Sequence, residues 1–364
     1  GEIIHYTNKK INIIDKKYFY YKSTNNIKKL LEKIKYQLNK NINDSIKNNN
    51  SNILLGLSGG LDSRIIAGLI RKKFRKKILT YTYGFKNNFE KIISTMVSHY
   101  CNFKKHINID VSDKNYFQEK KQYLQVGDLN STFQHNYQIS LFNKLSYKYN
   151  SNTFMLGCAL DQFMGSSFSS IELKKIKNNE QYYIWFKKNF FLFSDKELKK
   201  IFNFNLLSYE KKLKKNLLTI ISKIKFNDYI DLNDALQFEI RILRWYNKNL
   251  CYILGRDKKI LAPTYEKNFL DLCFKIPSKH RLNSNARKKL LKSINLKLSD
   301  IQDVKTMLPA SYEGNLEDIY SNKLKEIENI SVKNNIQSSQ LPSILYDVNF
   351  GKKFTNSIIF KKYL

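Results

Sequence analysis

Between Ser23 and Asn50, apolar side chains fall at Ile27, Leu30, Leu31, Ile34, Leu38, Ile42 and Ile46, steps of three and four that place them on one helical face. A short apolar run then opens at Ile53 (ILLGL), as a strand buried on both faces should, and empties into Ser58-Gly59-Gly60-Leu61-Asp62-Ser63. Ile65, Ile66, Leu69 and Ile70 share a face and predict a helix over Arg64 to Phe74. A second strand is expected at Ile78 to Gly84, a helix at Phe89 to Cys101 and a third strand near His106 to Ile109. Helical stretches continue to about Tyr147, before a fourth strand at Thr153 to Gly157. This alternation predicts an α/β fold, a doubly wound parallel sheet whose ligand side lies at the carboxyl ends of its strands, where Ser58, Gly84 and Gly157 fall. Beyond about residue 170 the strand signal fades, and long helical patterns predict a C-terminal helical lobe packed on the sheet.

Strand, glycine turn and helix together make an anion cradle. Adjacent glycines let backbone N–H groups converge on phosphate, Ser58 and Ser63 add hydroxyl donors, and the next helix presents its positive end. Asp62 would repel phosphate unless Mg2+ lay between them. No lysine follows at the spacing of the GxxxxGK[ST] loop, so this is not an ordinary nucleotide triphosphatase motif.

SGGLDS resembles the SGGxDS pyrophosphate loop of the ATP pyrophosphatase superfamily, a HUP-like fold. The resemblance implies cleavage of ATP between its α and β phosphates, adenylation of a carboxyl or carbonyl oxygen, and then attack by nitrogen or sulfur. A second loop, Gly157 to Ser166 (GCALDQFMGS), is similar to the GDGGDELFGG element of the asparagine synthetase family. Gly157, Asp161 and Gly165 match it, while Cys158, Ala159, Leu160, Gln162 and Ser166 depart. Gly1 to Tyr6, with Tyr18-Phe19-Tyr20, resembles the segment by which these enzymes leave their N-terminal glutaminase domain. Arg241 to Tyr246, Ile260 to Glu266, Leu270-Asp271 and Ile276-Pro277 keep the order of the family's "RxRR...EVRxPFLDxxLxxxxxxIP" region. Lys259 stands where the family has a glutamate near the reacting amine, and Leu261 where arginine is usual; a base cannot perform the same proton transfer.

By this resemblance ATP and Mg2+ sit on Ser58, Gly59, Gly60, Asp62, Ser63 and Asp161, with Gly157 close by and adenine against the backbone at Leu57, Thr82, Tyr83 and Gly84. Asp62 and Asp161 are the metal ligands, and Asp62, Asp161 and Lys305 the expected catalytic residues, Lys305 lying over the phosphates. The acceptor is a carboxylate, aspartate in the parent activity, and the nucleophile is ammonia derived from glutamine by an N-terminal or separate glutaminase domain. The expected layout is a linker remnant at 1–24, a nucleotide-binding core at 25–170, a helical substrate lobe at 171–330 and a polar extension at 331–364. Two other readings stay open: a tRNA-modifying ATP pyrophosphatase, and a degenerate nucleotide-binding protein without turnover. A homodimer is also left open.

Hydrophobic residues make up 42% of the 364, enough for a folded core rather than a disordered chain. The formal charge is +33, which would attract nucleic acid or acidic lipid. The lysines, however, are spread along the whole chain among Asn, Ile and Tyr, as an AT-biased genome would place them, and no RNA-recognition motif appears. Nucleic acid is therefore not the expected partner. Cys101, Cys158, Cys251 and Cys273 show no CxxC pair and read as reduced thiols of a cytoplasmic protein. No apolar stretch approaches 18 residues, so no membrane partner is expected. His135 lies near the expected substrate rim and reads first as structural; Glu90 suits either ribose hydroxyls or a helix N-terminus; Trp245 reads as core.

Overall fold

The computed structural model describes residues 2–7, 10–16, 24, 26–84, 88–110, 136–157, 159–165, 171–190, 206–238, 258–303 and 309–310. Two antiparallel strands, β1 (Glu2–Thr7) and β2 (Lys10–Lys16), form a hairpin. Next comes α1 (Ile27–Lys47), capped by Asn26, whose side chain accepts the Lys29 N–H at 3.0 Å. Its apolar stripe is the one the sequence spells out, with Ile34, Leu38, Ile42 and Ile46 fully buried.

Strands and helices then alternate: β3 (Ile53–Gly56), α2 (Leu61–Leu69), β4 (Ile78–Gly84), α3 (Phe89–Tyr100), β5 (His106–Asp110), α4 (Asn136–Tyr149) and β6 (Thr153–Met155). Helices dominate the remainder: α5 (Leu160–Met164), α6 (Asn179–Phe190), α7 (Leu206–Ile221) and α8 (Tyr229–Leu236). After β7 (Lys259–Leu261) come α9 (Lys267–Cys273), α10 (Ser278–Arg281), α11 (Asn285–Ile294) and α12 (Leu296–Asp300).

All five strands of the main sheet are parallel, in the order β5-β4-β3-β6-β7. Successive side chains of β3 serve opposite faces. Ile53 and Leu55 pack with α1, α2 and α3, whereas Leu54 packs with Tyr81, Phe154 and with Ile139, Phe142 and Leu145 of α4. Helices thus cover both faces, and the fold is the doubly wound α/β type expected. Each such side chain contributes roughly 1.5–3 kcal/mol by leaving water. The order of strands reverses between β3 and β6, which opens a crevice at their carboxyl ends.

Three local expectations need correction. The helix after the glycine loop starts at Leu61 and ends at Leu69, well short of Phe74; a 3-10 segment, Lys72–Lys77, follows. The stop comes from α1, where Asn43 donates to the Leu69 carbonyl at 3.2 Å and accepts the Arg71 N–H at 3.1 Å, spending groups that would have continued the helix. The fourth strand ends at Met155 rather than Gly157, although the Leu156 N–H still reaches the Leu261 carbonyl at 3.2 Å. The fading strand signal also hides β7, only three residues long, which completes the sheet beside β6.

Helices α9 and α11 pack against α1 and α2, and Phe269, Leu290 and Leu298 share the main core with β3. A separate aromatic-rich cluster joins α6, α7 and α8 through Tyr182, Trp185, Leu217, Ile221 and Ile230. Arg281 is buried and ion-paired to both Asp231 and Asp234, tying α10 to α8. Burial raises the Asp231 carboxyl above its ordinary pKa, while Arg281 pulls it back down. No helix among the described residues is long and apolar enough to cross a membrane.

Candidate nucleotide-binding site

The loop after β3 closes on itself through its two serines. Ser63 Oγ donates to the Ser58 carbonyl at 2.8 Å and accepts the Ser58 N–H at 3.1 Å, and the two hydroxyls lie 3.1 Å apart. The Gly60 N–H donates to Ser58 Oγ at 3.2 Å. Gly60 is the N-cap of α2 and supplies no side chain to it, so the first-turn N–H groups of this helix have no side-chain cap. A Cβ at Gly60 would meet only Ser58 Oγ, at 3.4 Å, and φ there is −87°. Neither packing nor backbone conformation asks for glycine; closeness to a ligand is the reason left.

Across the crevice, the loop after β6 packs directly on the first. A Cβ on Gly157 would stand 3.2 Å from Ser63 Cα. Ala159 turns the chain with φ at 62° and caps α5, whose first turn carries Asp161. The Asp161 N–H donates to Asp62 Oδ2 at 3.1 Å, so the two acidic residues the sequence singles out meet at the switch point. Gly165 ends α5 with φ at 138°, and a Cβ there would fall 2.1 Å from the Arg281 carbonyl oxygen. Of the second loop's matches to the family element, Gly165 therefore answers to packing and Asp161 to the site.

Two arginines complete the site, and the sequence reading missed both. Arg287, in the first turn of α11, donates from Nη1 to Asp62 Oδ1 at 2.7 Å and from Nη2 to Ser284 Oγ at 2.5 Å, while its Nε is buried with no partner. Burial alone would lower its pKa, but the carboxylates of Asp62, Asp161 and Asp303 raise it on balance. Arg64, in α2, is fully buried and donates to main-chain carbonyls of both the glycine loop and the end of α12. Burial lowers its pKa to about 10, partly opposed by Asp303, so it stays charged at neutral pH. In sequence Arg287 stands among Lys288, Lys289 and Lys292 and looks like part of a solvated face. Arg64 carried the better signal, as a charge that leads directly into the apolar run Ile65-Ile66-Ala67.

The remaining candidates fall unevenly. Leu57 is buried, its N–H bonds the Tyr81 carbonyl at 2.9 Å and its carbonyl accepts from Thr82 Oγ1, so its backbone is engaged on both sides. Thr82 also pairs with Ser94 at 2.7 Å. Tyr83 and Gly84, half-buried at the end of β4, stand nearer to solvent, and the Tyr83 hydroxyl accepts from Gln138 at 2.8 Å. Glu90 lies in the first turn of α3, where its N–H is capped by Asn88 at 2.8 Å. Lys259 is exposed and opens β7 opposite Thr153, at the amino end of the sheet rather than the ligand side. Lys305, His135, Cys158, Cys251 and Arg241 to Tyr246 lie outside the described residues.

Among the described residues no three His, Cys, Asp or Glu side chains gather as a metal-ligand group. Two carboxylates are nonetheless the donor set Mg2+ uses when substrate phosphates and waters fill the rest of its shell, and Asp62 and Asp161 fit that pattern.

Comparison with known proteins agrees with this geometry in part of the chain. No curated protein matches it. Among solved structures, an NH3-dependent NAD synthetase from Campylobacter jejuni aligns at 17% identity over 60% of this chain and 96% of its own, with a TM-score of 0.28. The U34-tRNA thiolase NcsA from Methanococcus maripaludis aligns at 12% identity over 94% of this chain and 86% of its own, with a TM-score of 0.33. Residues 40–156 match the family model for asparagine synthase, a stretch that carries β3, the glycine loop and β6.

Proposed function

We propose that this chain is an ATP-dependent amide ligase that adenylates a carboxylate and transfers the acyl group to ammonia. The observation that carries the reading is the meeting of Asp62 with the Asp161 loop, at 3.1 Å, beside a helix N-terminus that no side chain caps. The asparagine synthase match over residues 40–156 supports the same class of reaction.

In this reading the Gly60 N–H, the first turn of α2 and the hydroxyls of Ser58 and Ser63 turn from one another to the β and γ phosphates, with Gly59 and Gly157 leaving room. Tyr83 and Gly84 flank adenine. Asp62 and Asp161 are the residues that would hold Mg2+, and the ion would supply positive charge against the leaving pyrophosphate. Arg287 adds positive charge beside Asp62, and the reading gives the same role to Lys305, which lies outside the described residues. An oxygen of the acceptor carboxylate attacks the α phosphorus, the α–β anhydride breaks, and acyl-AMP and pyrophosphate result. Ammonia then attacks the acyl carbon, AMP leaves, and a proton passes to solvent. Aspartate as the acceptor and a glutaminase domain as the source of ammonia belong to this proposal, as does a cytosolic setting, which suits the buried free thiols of Cys101 and Cys273.

The test is pyrophosphate release from MgATP across a panel of carboxylates with ammonium, with Asp62→Ala as control. Release that requires aspartate and yields asparagine with AMP supports the parent activity, and release with another acid keeps the chemistry and changes the substrate. ATP binding without release under any condition would leave a nucleotide-binding protein without turnover.

One observation favours a second reading. An open cleft of about 450 Å³ on α7 is lined by Lys211, Lys214, Lys215, Leu218, Thr219 and Ser222, a cationic face suited to RNA phosphates. Pyrophosphate release that depends on added tRNA would make the chain a tRNA-modifying member of the superfamily instead.

A further inference from the structure

Arg64 is an expensive residue for its place. Its side chain is fully buried, and Ile65, Ile66, Ala67 and Leu69 around it in α2 are all core. A long apolar side chain would fill the same volume without burying a charge. What the guanidinium gains instead is a set of main-chain carbonyls. Nη2 donates to the Gly59 carbonyl at 2.6 Å and to that of Gln302; Nη1 donates to the Ile301 carbonyl at 2.6 Å and to that of Leu298 at 3.4 Å. Three of these acceptors lie at or just past the last turn of α12, where carbonyls lack helical partners and a cation is favoured. The fourth belongs to the glycine loop.

The Gly59 bond sets a direction. The described peptide bonds are all trans, so the Gly60 N–H points opposite to the Gly59 carbonyl across their shared peptide plane. With that carbonyl held inward, the Gly60 N–H is turned away from Arg64, where it now finds Ser58 Oγ. Gly68, one helical turn beyond Arg64 on the same face, lets the chain approach closely enough. A Cβ there would fall 2.9 Å from Ile294 Cγ2 and 3.1 Å from Leu298 Cδ1. Arg287 reaches the other way, from α11 back to Asp62. The two arginines cross the same boundary in opposite directions.

We propose that Arg64 is a positioning residue of the phosphate loop, one that keeps the Gly60 N–H turned toward an arriving pyrophosphate group and couples that geometry to the 298–302 segment. This rests on the reading of the glycine loop as a nucleotide phosphate site.

The experiment titrates inorganic pyrophosphate with Mg2+ into the wild-type chain, Arg64→Lys and Arg64→Gln, and follows amide hydrogen exchange in the wild type with and without ligand. In the wild type, pyrophosphate should raise protection of residues 57–63 and 296–303 together. Arg64→Gln, at temperatures where its circular dichroism is native, should lose affinity by about tenfold or more, with Arg64→Lys between the two. Unchanged affinity in Arg64→Gln, or protection gained only in residues 57–63, overturns the proposal, and the exchange result decides it even where a variant fails to fold. A wild-type chain that binds neither pyrophosphate nor MgATP would overturn the phosphate reading itself, and the proposal with it.

Discussion

The carboxylate of Asp62 is held from both sides of the crevice, by Arg287 Nη1 at 2.7 Å on one oxygen and by the Asp161 N–H at 3.1 Å on the other. One side chain thus joins the glycine loop, the second acidic loop and a helix 225 residues further along the chain.

Because Arg287 is buried and Asp62 only slightly exposed, removal of either partner leaves an uncompensated charge. Asp62→Ala should destabilise the fold by about 2–4 kcal/mol, and Arg287→Met by less, since Asp62 keeps the Asp161 N–H and some contact with water. Urea unfolding of both single variants and the double variant measures the coupling; additive effects would show that the pair contributes nothing beyond its parts. Both variants should also cut pyrophosphate release by about a hundredfold or more in assays of folded protein.

Gly165→Ala should be far worse than an ordinary substitution. Its φ of 138° disfavours any Cβ, and the new methyl would overlap the Arg281 carbonyl oxygen at 2.1 Å. A loss of about 3 kcal/mol or more is expected, seen as a large drop in Tm or as insoluble protein. A variant with wild-type Tm would mean that α5 and α10 are not packed as described.

His106 makes stability depend on pH. Its ring contacts Thr80 at 2.9 Å, Asn108 at 3.2 Å and Ser94 at 3.3 Å, and burial lowers its pKa from 6.5 to about 4, with Asn108 opposing part of the shift. The unfolded chain therefore takes up a proton near pH 6.5 while the folded chain does not. The contribution is complete above pH 6.5, falls as pH drops, and is gone below about 4, a total of up to about 3 kcal/mol. Unfolding free energies of the wild type and His106→Gln between pH 7 and pH 4.5 test this. The wild type should lose more stability than the variant, and parallel curves would refute the assignment.

Asn43 stops α2, so Asn43→Ala should cost about 1–2 kcal/mol by orphaning the Arg71 N–H, while the Leu69 carbonyl keeps its bond from the Asn39 side chain at 3.1 Å. Hydrogen exchange should show the loss concentrated at residues 67–72, while an unchanged exchange pattern there would assign the helix stop to some other cause.

The parts legible in the sequence are those encoded within a few residues. The stripe of α1 repeats every three or four positions, β4 is bounded as expected at Ile78 and Gly84, and the SGGLDS loop carries its chemistry in six consecutive residues. Asp161 was legible through the resemblance of its loop to a family element. Less was legible where local propensity is weak or outvoted. The three residues of β7 are too few to show a period, and the apolar face of α2 continues through Ile70 although the helix has already ended.

What the amino-acid sequence determined by itself is the order of strands and helices, the glycine loop and the two acidic positions, because hydrophobic periodicity and turn chemistry act over a single element. Tertiary structure alone decided that Arg64 and Arg287 are buried against the glycine loop, that α1 terminates α2, and that Lys259 stands at the opposite end of the sheet. A lysine or arginine reads as solvated until burial removes its water, and which charge is buried depends on contacts between residues hundreds of positions apart.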